Sequence, residues 1–461
     1  MLGHFLFQPR GDDYLLTNDT GSYCFLSKEE FVAFIKETMP HDCLRWEELC
    51  DKQFCFDDSE ESFIRRNEGI IRDANSYLFD STTLFILAVT NECNNRCVYC
   101  QASGEKKPCH MQEDVADKTM EMIARSPSAK VTIEFQGGEP LINFRVIRYI
   151  IEKAKTVLQN KDVQFTLVSN LSLLTEEMAI YFKDNNVSVS TSLDGPANIH
   201  NLNRPSSLGE GTYETTLCGI DKLRKLGLSP GAIQTTTAAS LAYPEVIVDT
   251  YAKLGLRQLF LRPLTRLGAA AKCWDKIGYT PDQFLVFYKR ALRRIIQLNQ
   301  AGYKFMEYHA ALFLNKILNG RSANYMELRS PCGAGLGQMA ITANGNVYTC
   351  DEGRMMAEMG DEAFLLGNVF DNDYNEFIES PNCKAVCTAS LLETLPGCCD
   401  CVYKPYCGVC PVINYAVNGN ITDVYKDKCQ VYKGILDLLF EYIHEGDPEI
   451  MNIFTEWSDQ I

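Results

Sequence analysis

TNECNNRCVYCQAS, residues 90–103, carries Cys93, Cys97 and Cys100 in the order C-x3-C-x2-C. Structural thiolate–metal sites close with four ligands, whereas a catalytic site keeps a coordination position open. Three thiols on one short loop therefore point to a centre whose last position is reserved for something other than protein. Immediately upstream, LFILAVT (84–90) is a short apolar run of the kind that forms a buried strand. The thiols thus sit on the loop that leaves a strand.

Downstream, the pattern repeats. VTIEFQG (131–137), VQFTLVS (163–169), VSVSTSLD (187–194), GAIQTTTA (231–238) and QLFLRPL (258–264) read as further strands. Between them run helical patterns near 114–126, 143–158, 175–185, 213–226 and 243–254. Six β/α units predict an α/β fold with a parallel sheet, a partial (β/α)6 TIM-like barrel with its chemistry at the C-terminal ends of the strands. The cysteine loop occupies that end of the first strand.

At 461 residues the chain is too long for one ordinary core, so two or three domains are expected. A formal net charge of -16 argues against a nucleic acid partner, because phosphates are repelled. No apolar run reaches the roughly 18–20 residues that span a bilayer, so no membrane partner is expected. The start, MLGHFLFQPRGDDYLL, lacks the cationic and apolar regions of a signal peptide, which predicts a cytoplasmic protein. Twenty cysteines in a reducing compartment favour metal sites over disulfides. Three thiolates can hold three irons of a [4Fe–4S] cube; the alternative is a zinc site completed by a distant ligand.

C-x3-C-x2-C with an aromatic residue, Tyr99, before the last cysteine resembles the signature of the radical S-adenosylmethionine (SAM) enzymes. The resemblance implies that Cys93, Cys97 and Cys100 hold a [4Fe–4S] cluster whose open iron is chelated by SAM. A 5'-deoxyadenosyl radical formed by SAM cleavage would then abstract a substrate hydrogen. FQGGEP (135–140) matches the family's GGEP element, with Gly137 and Gly138 allowing close backbone approach and Glu139 expected near the methionine ammonium. STSLDGPANIHNLNRP (190–205) extends the resemblance to the peptide-modifying branch. It implies a SAM contact for Ser192 and a carboxylate fork for Arg204, set against a surface salt bridge. Asn170, at the end of the third strand, is a ribose candidate. His200 is a candidate proton carrier or a loop cap.

The C-terminal third resembles the SPASM auxiliary-cluster domain. Cys332 is followed by G-x4-C ending at Cys350, and CCDCVYKPYCGVC supplies Cys398, Cys401, Cys407 and Cys410, with Cys429 beyond. One auxiliary [4Fe–4S] cluster is then expected on Cys398, Cys401, Cys407 and Cys429. A second is expected on Cys332, Cys350 and Cys410, its fourth ligand left open among Cys383, Cys387, a non-cysteine group or none. The spacing before Cys410 is x2 where the family has x3. The alternative is a zinc ribbon. Asp351, directly after Cys350, stands where sulfatase maturases place a proton-accepting aspartate, and burial is expected to raise its pKa.

Residues 1–80 belong to neither module. DDYLLTNDTGSYCFLSKEEFVAFIKE predicts two strands around a turn at Asn18–Gly21, then a helix capped by Ser27 with Glu30 at capping-box spacing; LRWEELCDKQF predicts a second helix. The unit looks like small winged-helix domains that bind leader peptides by strand addition; the alternative is a structural cap. The expected organisation is an N-terminal unit (1–80), a radical SAM core (81–300) and a SPASM domain (301–461).

Across residues 5–430 the wording is most similar to the B-type maturases of the His-Xaa-Ser system. That implies an oxidoreductase that crosslinks a ribosomally made precursor peptide, with a flavodoxin or ferredoxin as electron donor and a partner maturase. Formylglycine formation from serine or cysteine is the alternative reaction. A non-catalytic electron-transfer or peptide-binding protein is the alternative class.

Overall fold

A computed structural model describes residues 1–103, 107–320 and 325–461. The N-terminal unit opens with β1 (Leu6–Arg10), β2 (Asp13–Thr17) and β3 (Tyr23–Ser27), an antiparallel sheet in that order. The expected pair is therefore a triplet, because LFQPR, which lacks a clean alternation, adds an outer strand. Ser27 caps the helix Lys28–Ile35 in a capping box with Glu30, as the spacing predicts. The second helix is Leu44–Asp51, and a third, Glu60–Ala74, was not anticipated.

Six parallel strands follow: β4 (Leu84–Ala88), β5 (Lys130–Gln136), β6 (Asp162–Ser169), β7 (Val187–Ser192), β8 (Gly231–Thr235) and β9 (Gln258–Arg262). Each coincides with a predicted run, and the helices Glu113–Arg125, Phe144–Val157, Glu176–Asp184, Tyr213–Lys225 and Pro244–Lys253 fall where the periodicity places them. The alternation on β5 explains the layering. Val131, Ile133 and Phe135 are buried in the core shared with the flanking helices, while Thr132, Glu134 and Gln136 alternate onto the concave side.

The sheet extends beyond six strands. A two-residue β10 (Met306–Glu307) pairs with β9, and β11 (Gln338–Thr342), β12 (Asn346–Tyr348) and β13 (Leu365–Asn368) continue from the β4 edge. β11 runs parallel to β4, so the C-terminal region covers what would be the barrel's open edge. This placed Asp351, just after β12, at the same end as the cysteine loop. Among the described residues the two ends of the sheet, β10 and β13, do not pair, and the architecture is a partial barrel.

Two long helices, Pro281–Gln300 and Tyr308–Asn319, pack against the C-terminal helices Lys426–Glu445 and Pro448–Ser458 in one apolar core with the β8–β9 side of the barrel. The N-terminal sheet sits on the thiol-rich segment. Thr17 donates to the Val402 carbonyl at 2.7 Å, Tyr406 to the Gly21 carbonyl at 3.0 Å, and Lys404 pairs with Asp19 at 2.7 Å.

Candidate active site

The cysteine loop and the loop after β7 are laced together. The Arg96 amide donates to the Pro205 carbonyl at 2.8 Å and the Val98 amide to the Asn203 carbonyl at 2.9 Å. They face a cavity of about 520 Å³ at the C-terminal ends of the strands, lined by all three thiols, the GGEP loop, Asn170, Ser192, Arg204 and Asp351. Burial raises the Cys93 thiol, with its neighbouring thiols contributing, to about 12, and raises Cys97 to about 11. Such thiols ionise when a metal binds them. Among the described residues no three Cys, His, Asp or Glu side chains close into a cage for a single ion. A four-iron cube needs its cysteines set further apart, because its own irons and sulfides lie between them; three mutually felt thiols beside an open cavity suit that group.

Gly137 and Gly138 do approach backbone closely, and the backbone is the chain's own. A Cβ on Gly137 would lie 2.1 Å from the Thr90 carbonyl oxygen, and one on Gly138 2.2 Å from that of Glu92. The Gly138 and Glu139 amides donate to those same oxygens, both at 2.8 Å. The GGEP turn thereby fixes the start of the cysteine loop. Glu139 is buried, with Oε1 accepting from Ser169 Oγ at 2.7 Å and Oε2 from the Asn170 amide at 2.8 Å. Desolvation nonetheless pushes its pKa up to about 7. A bound ammonium would restore its charge.

Arg204 is not a surface salt bridge. Its side chain is 10% exposed, its Nε donates to Asp194 Oδ2 at 3.2 Å and its Nη1 reaches Cys97 Sγ at 3.8 Å. Tyr99 donates its hydroxyl to the same Asp194 oxygen at 2.6 Å. His200 caps the loop: the Asp194 amide donates to its Nδ1 at 3.3 Å, its Nε2 lies 3.2 Å from Thr212 Oγ1, and burial lowers its pKa to about 4. The side chain of Asn170 is engaged within the chain, donating to Asn94 Oδ1 at 2.9 Å and accepting from Ser172. Ser192 lines the cavity wall.

Asp351 faces the cavity, with Oδ1 accepting from Arg354 Nε at 2.8 Å and Nη2 at 2.6 Å. Its partner is thus a buried guanidinium. Cys398, Cys401, Cys407 and Cys429 line a smaller void of about 40 Å³. Burial first, and the neighbouring thiols of the group second, raise Cys398 to about 11 and Cys407 to about 12. Cys332, Cys350 and Cys410 form the second group, in which Cys350 feels both of the others. Cys383 and Cys387 hydrogen-bond to each other on the helix Pro381–Ala389, behind the turn at Gly335.

Four residues of the site escaped sequence reading. Glu134 lines the cavity with a pKa raised by burial and, further, by Asp351. It lies two residues before Gln136 on β5, so strand alternation alone places it on the concave face. Asp194 sits inside the SLDG run at 192–195, which gives it no separate local signal. Glu352 is a carboxylate felt by Cys332, Cys350 and Cys410, and Arg262 ties β9 to Glu327 at 2.9 Å. These two depend on long-range packing and leave no local signal.

Comparison with known proteins fits this geometry. Residues 87–246 match the radical SAM superfamily and residues 332–411 match the SPASM iron–sulfur cluster-binding domain. A cysteine-type anaerobic sulfatase-maturating enzyme of Clostridium perfringens is 22% identical over 312 residues, 65% of this chain and 80% of the relative. The solved structure of native anSMEcpe with bound AdoMet has a TM-score of 0.69 at 20% identity, covering 81% of this chain and 99% of that one. Streptococcus suis SuiB bound to precursor peptide SuiA has a TM-score of 0.56 at 12% identity, covering 93% and 98%. The two domain matches imply iron–sulfur clusters and SAM as the cofactors.

Proposed function

We propose, from the premise that this chain belongs to the radical SAM superfamily and carries a SPASM domain, that it crosslinks residues of a ribosomally made precursor peptide of the His-Xaa-Ser type. The observation that carries the reading is the shared cavity. It gathers the three-thiol loop, the buried Glu139 carboxylate and Asp351 beside Cys350 into one space large enough for a cofactor and a peptide side chain. Bound at Cys93, Cys97 and Cys100, the cluster supplies the electron that turns SAM into a source of a hydrogen-abstracting radical.

The chain's own residues do the rest. Glu139 receives the methionine ammonium, Ser192 and Asn170 border the nucleoside, and Gly137 and Gly138 hold the loops in register. Asp351 takes the proton that leaves when the substrate radical closes to product; Oδ2 is the oxygen left for it, since Arg354 occupies Oδ1. The auxiliary thiols Cys398, Cys401, Cys407 and Cys429, and Cys332, Cys350 and Cys410, would hold clusters, which would supply a place for the remaining electron. The precursor's leader docks in a cleft of about 850 Å³ between the helix Glu60–Ala74, the start of β3 and the helix Tyr308–Asn319. A small electron donor and a partner maturase complete the system.

The test is product chemistry. Incubation with a His-Xaa-Ser precursor and a reductant should yield 5'-deoxyadenosine and a peptide lighter by two hydrogens that resists carbonyl trapping. The Cys93/Cys97/Cys100→Ala variant should lose about four irons and all SAM cleavage. Retained cleavage in that variant would defeat the assignment. A product trapped by a hydrazide would instead establish formylglycine formation, the second reading, which the Cys350–Asp351 adjacency and the sulfatase-maturase relative favour.

A further inference from the structure

Asp194 lies at the end of β7 with a fully buried side chain that makes bonds in three directions. Its Oδ2 accepts from Tyr99 at 2.6 Å and from Arg204 Nε at 3.2 Å, and its Oδ1 accepts from the Thr235 amide at 3.2 Å on β8. Arg204 then has one edge on Asp194 while Nη1 reaches Cys97 Sγ at 3.8 Å, its guanidinium 5.1 Å from the centre of the Tyr99 ring. Backbone bonds from Arg96 and Val98 to Pro205 and Asn203 hold Cys97 and Arg204 in register on both sides. Thr212 anchors the Arg204 carbonyl at 2.5 Å. The guanidinium has nowhere else to go without leaving Asp194 as an unpaired buried charge.

We propose that Asp194 is a positioning residue for the three-thiol site: it holds Arg204 against Cys97, and the N–H so placed sets the reduction potential of the cluster those thiols bind. Hydrogen bonds to ligating sulfur and nearby charge are levers on iron–sulfur potentials. An N–H and a positive charge at the Cys97 sulfur stabilise the reduced, more negative form and raise the potential. Arg204 in this role serves the protein's own ligand rather than a carboxylate of SAM or peptide. The inference rests on Cys93, Cys97 and Cys100 holding the cluster.

The sign of the effect separates positioning from simple charge. Removing Arg204 (Arg204→Gln) lowers the potential in either case. Asp194→Asn removes a negative charge, which by itself raises the potential; loss of positioning lowers it. The experiment is a redox titration of the loaded holoenzyme, following the part of the reduced-cluster EPR signal that changes when SAM is added. Both variants are expected to lower the reduced-to-oxidised ratio at a fixed poise about tenfold, or about 59 mV for one electron. An upward shift in Asp194→Asn, or none, overturns the proposal. Should that variant not load clusters, Arg204→Lys keeps the charge but cannot bridge Asp194 and Cys97 as a planar fork. It is expected to shift downward, and an unchanged potential overturns the proposal. Absence of any SAM-sensitive signal in the unsubstituted protein defeats the cluster assignment itself, before any variant is compared.

Discussion

At the scale of single residues, two of the carboxylates lining the cavity differ in their partners. Asp351 has a guanidinium partner and one free oxygen, whereas Glu134 is buried with a raised pKa and only neutral hydrogen-bond donors, Gln136 at 2.6 Å and Thr166 at 3.2 Å. The Asp351 Oδ2 that Arg354 leaves open is the oxygen placed to accept a proton. Asp351→Asn is therefore expected to keep SAM cleavage with peptide bound and to cut modified product at least about tenfold, measured by mass spectrometry in single-turnover reactions. Glu134→Gln should cut it far less. The reverse pattern would move the base to Glu134. A second consequence concerns pH. Glu307, which caps the helix Tyr308–Asn319, is pushed up to about 7 by burial despite bonds from Tyr288 at 2.5 Å and the Ala310 amide at 2.6 Å. The folded state thus holds this proton where the unfolded chain has released it. Its contribution is fully present below the unfolded pKa of about 4.5 and lost as pH rises towards 7. Tm of the protein relative to Glu307→Gln should fall between pH 5 and 7, and a flat difference would refute the assignment.

At the scale of elements, the contact that matters is loop on loop. Gly138 lets the turn after β5 lie on the loop after β4, with its amide on the Thr90 carbonyl. A methyl group there meets the Glu92 carbonyl oxygen at 2.2 Å and its carbon at 2.5 Å, and neither is the end of a flexible side chain. Gly138→Ala should accordingly force the two loops apart one residue before Cys93. The expected result is loss of about four irons with the auxiliary clusters retained, read by iron analysis and EPR. Full iron content would show that the loops tolerate the shift.

At the scale of the whole molecule, the N-terminal unit is built into the C-terminal region. Leu15 belongs to the same apolar core as the helix Lys426–Glu445, and Arg10 bonds Tyr403 and Asp437. Removing residues 1–80 would strip that core as well as any leader site, so deletion is a poor probe. Ile70, 40% exposed and on the cleft wall, tests docking without disturbing the core. Ile70→Glu is expected to weaken precursor binding roughly tenfold or more, measured by fluorescence anisotropy with a labelled leader. Unchanged affinity would leave the unit as a cap.

The sequence by itself determined the six strands, their helices and the placing of the three thiols after the first strand. Hydrophobic periodicity and cysteine spacing are local, and a strand with one face in the core writes its signature into five to eight consecutive residues. Spacing also identified the Ser27 cap, whereas the grouping of the auxiliary cysteines is what the family resemblance implies. Tertiary structure alone decided three things. β11 closes onto β4 across some 250 residues of chain, which no local pattern encodes, and that pairing brings Asp351 to the catalytic cavity. Arg204 turned inward because Asp194 offered it a buried partner at 3.2 Å, whereas an arginine in a loop reads the same whether solvated or buried. Glu352 came to face three thiols from distant segments because helix and loop packing converge there. Charge and burial are properties of neighbours in space, and only the fold chooses those neighbours.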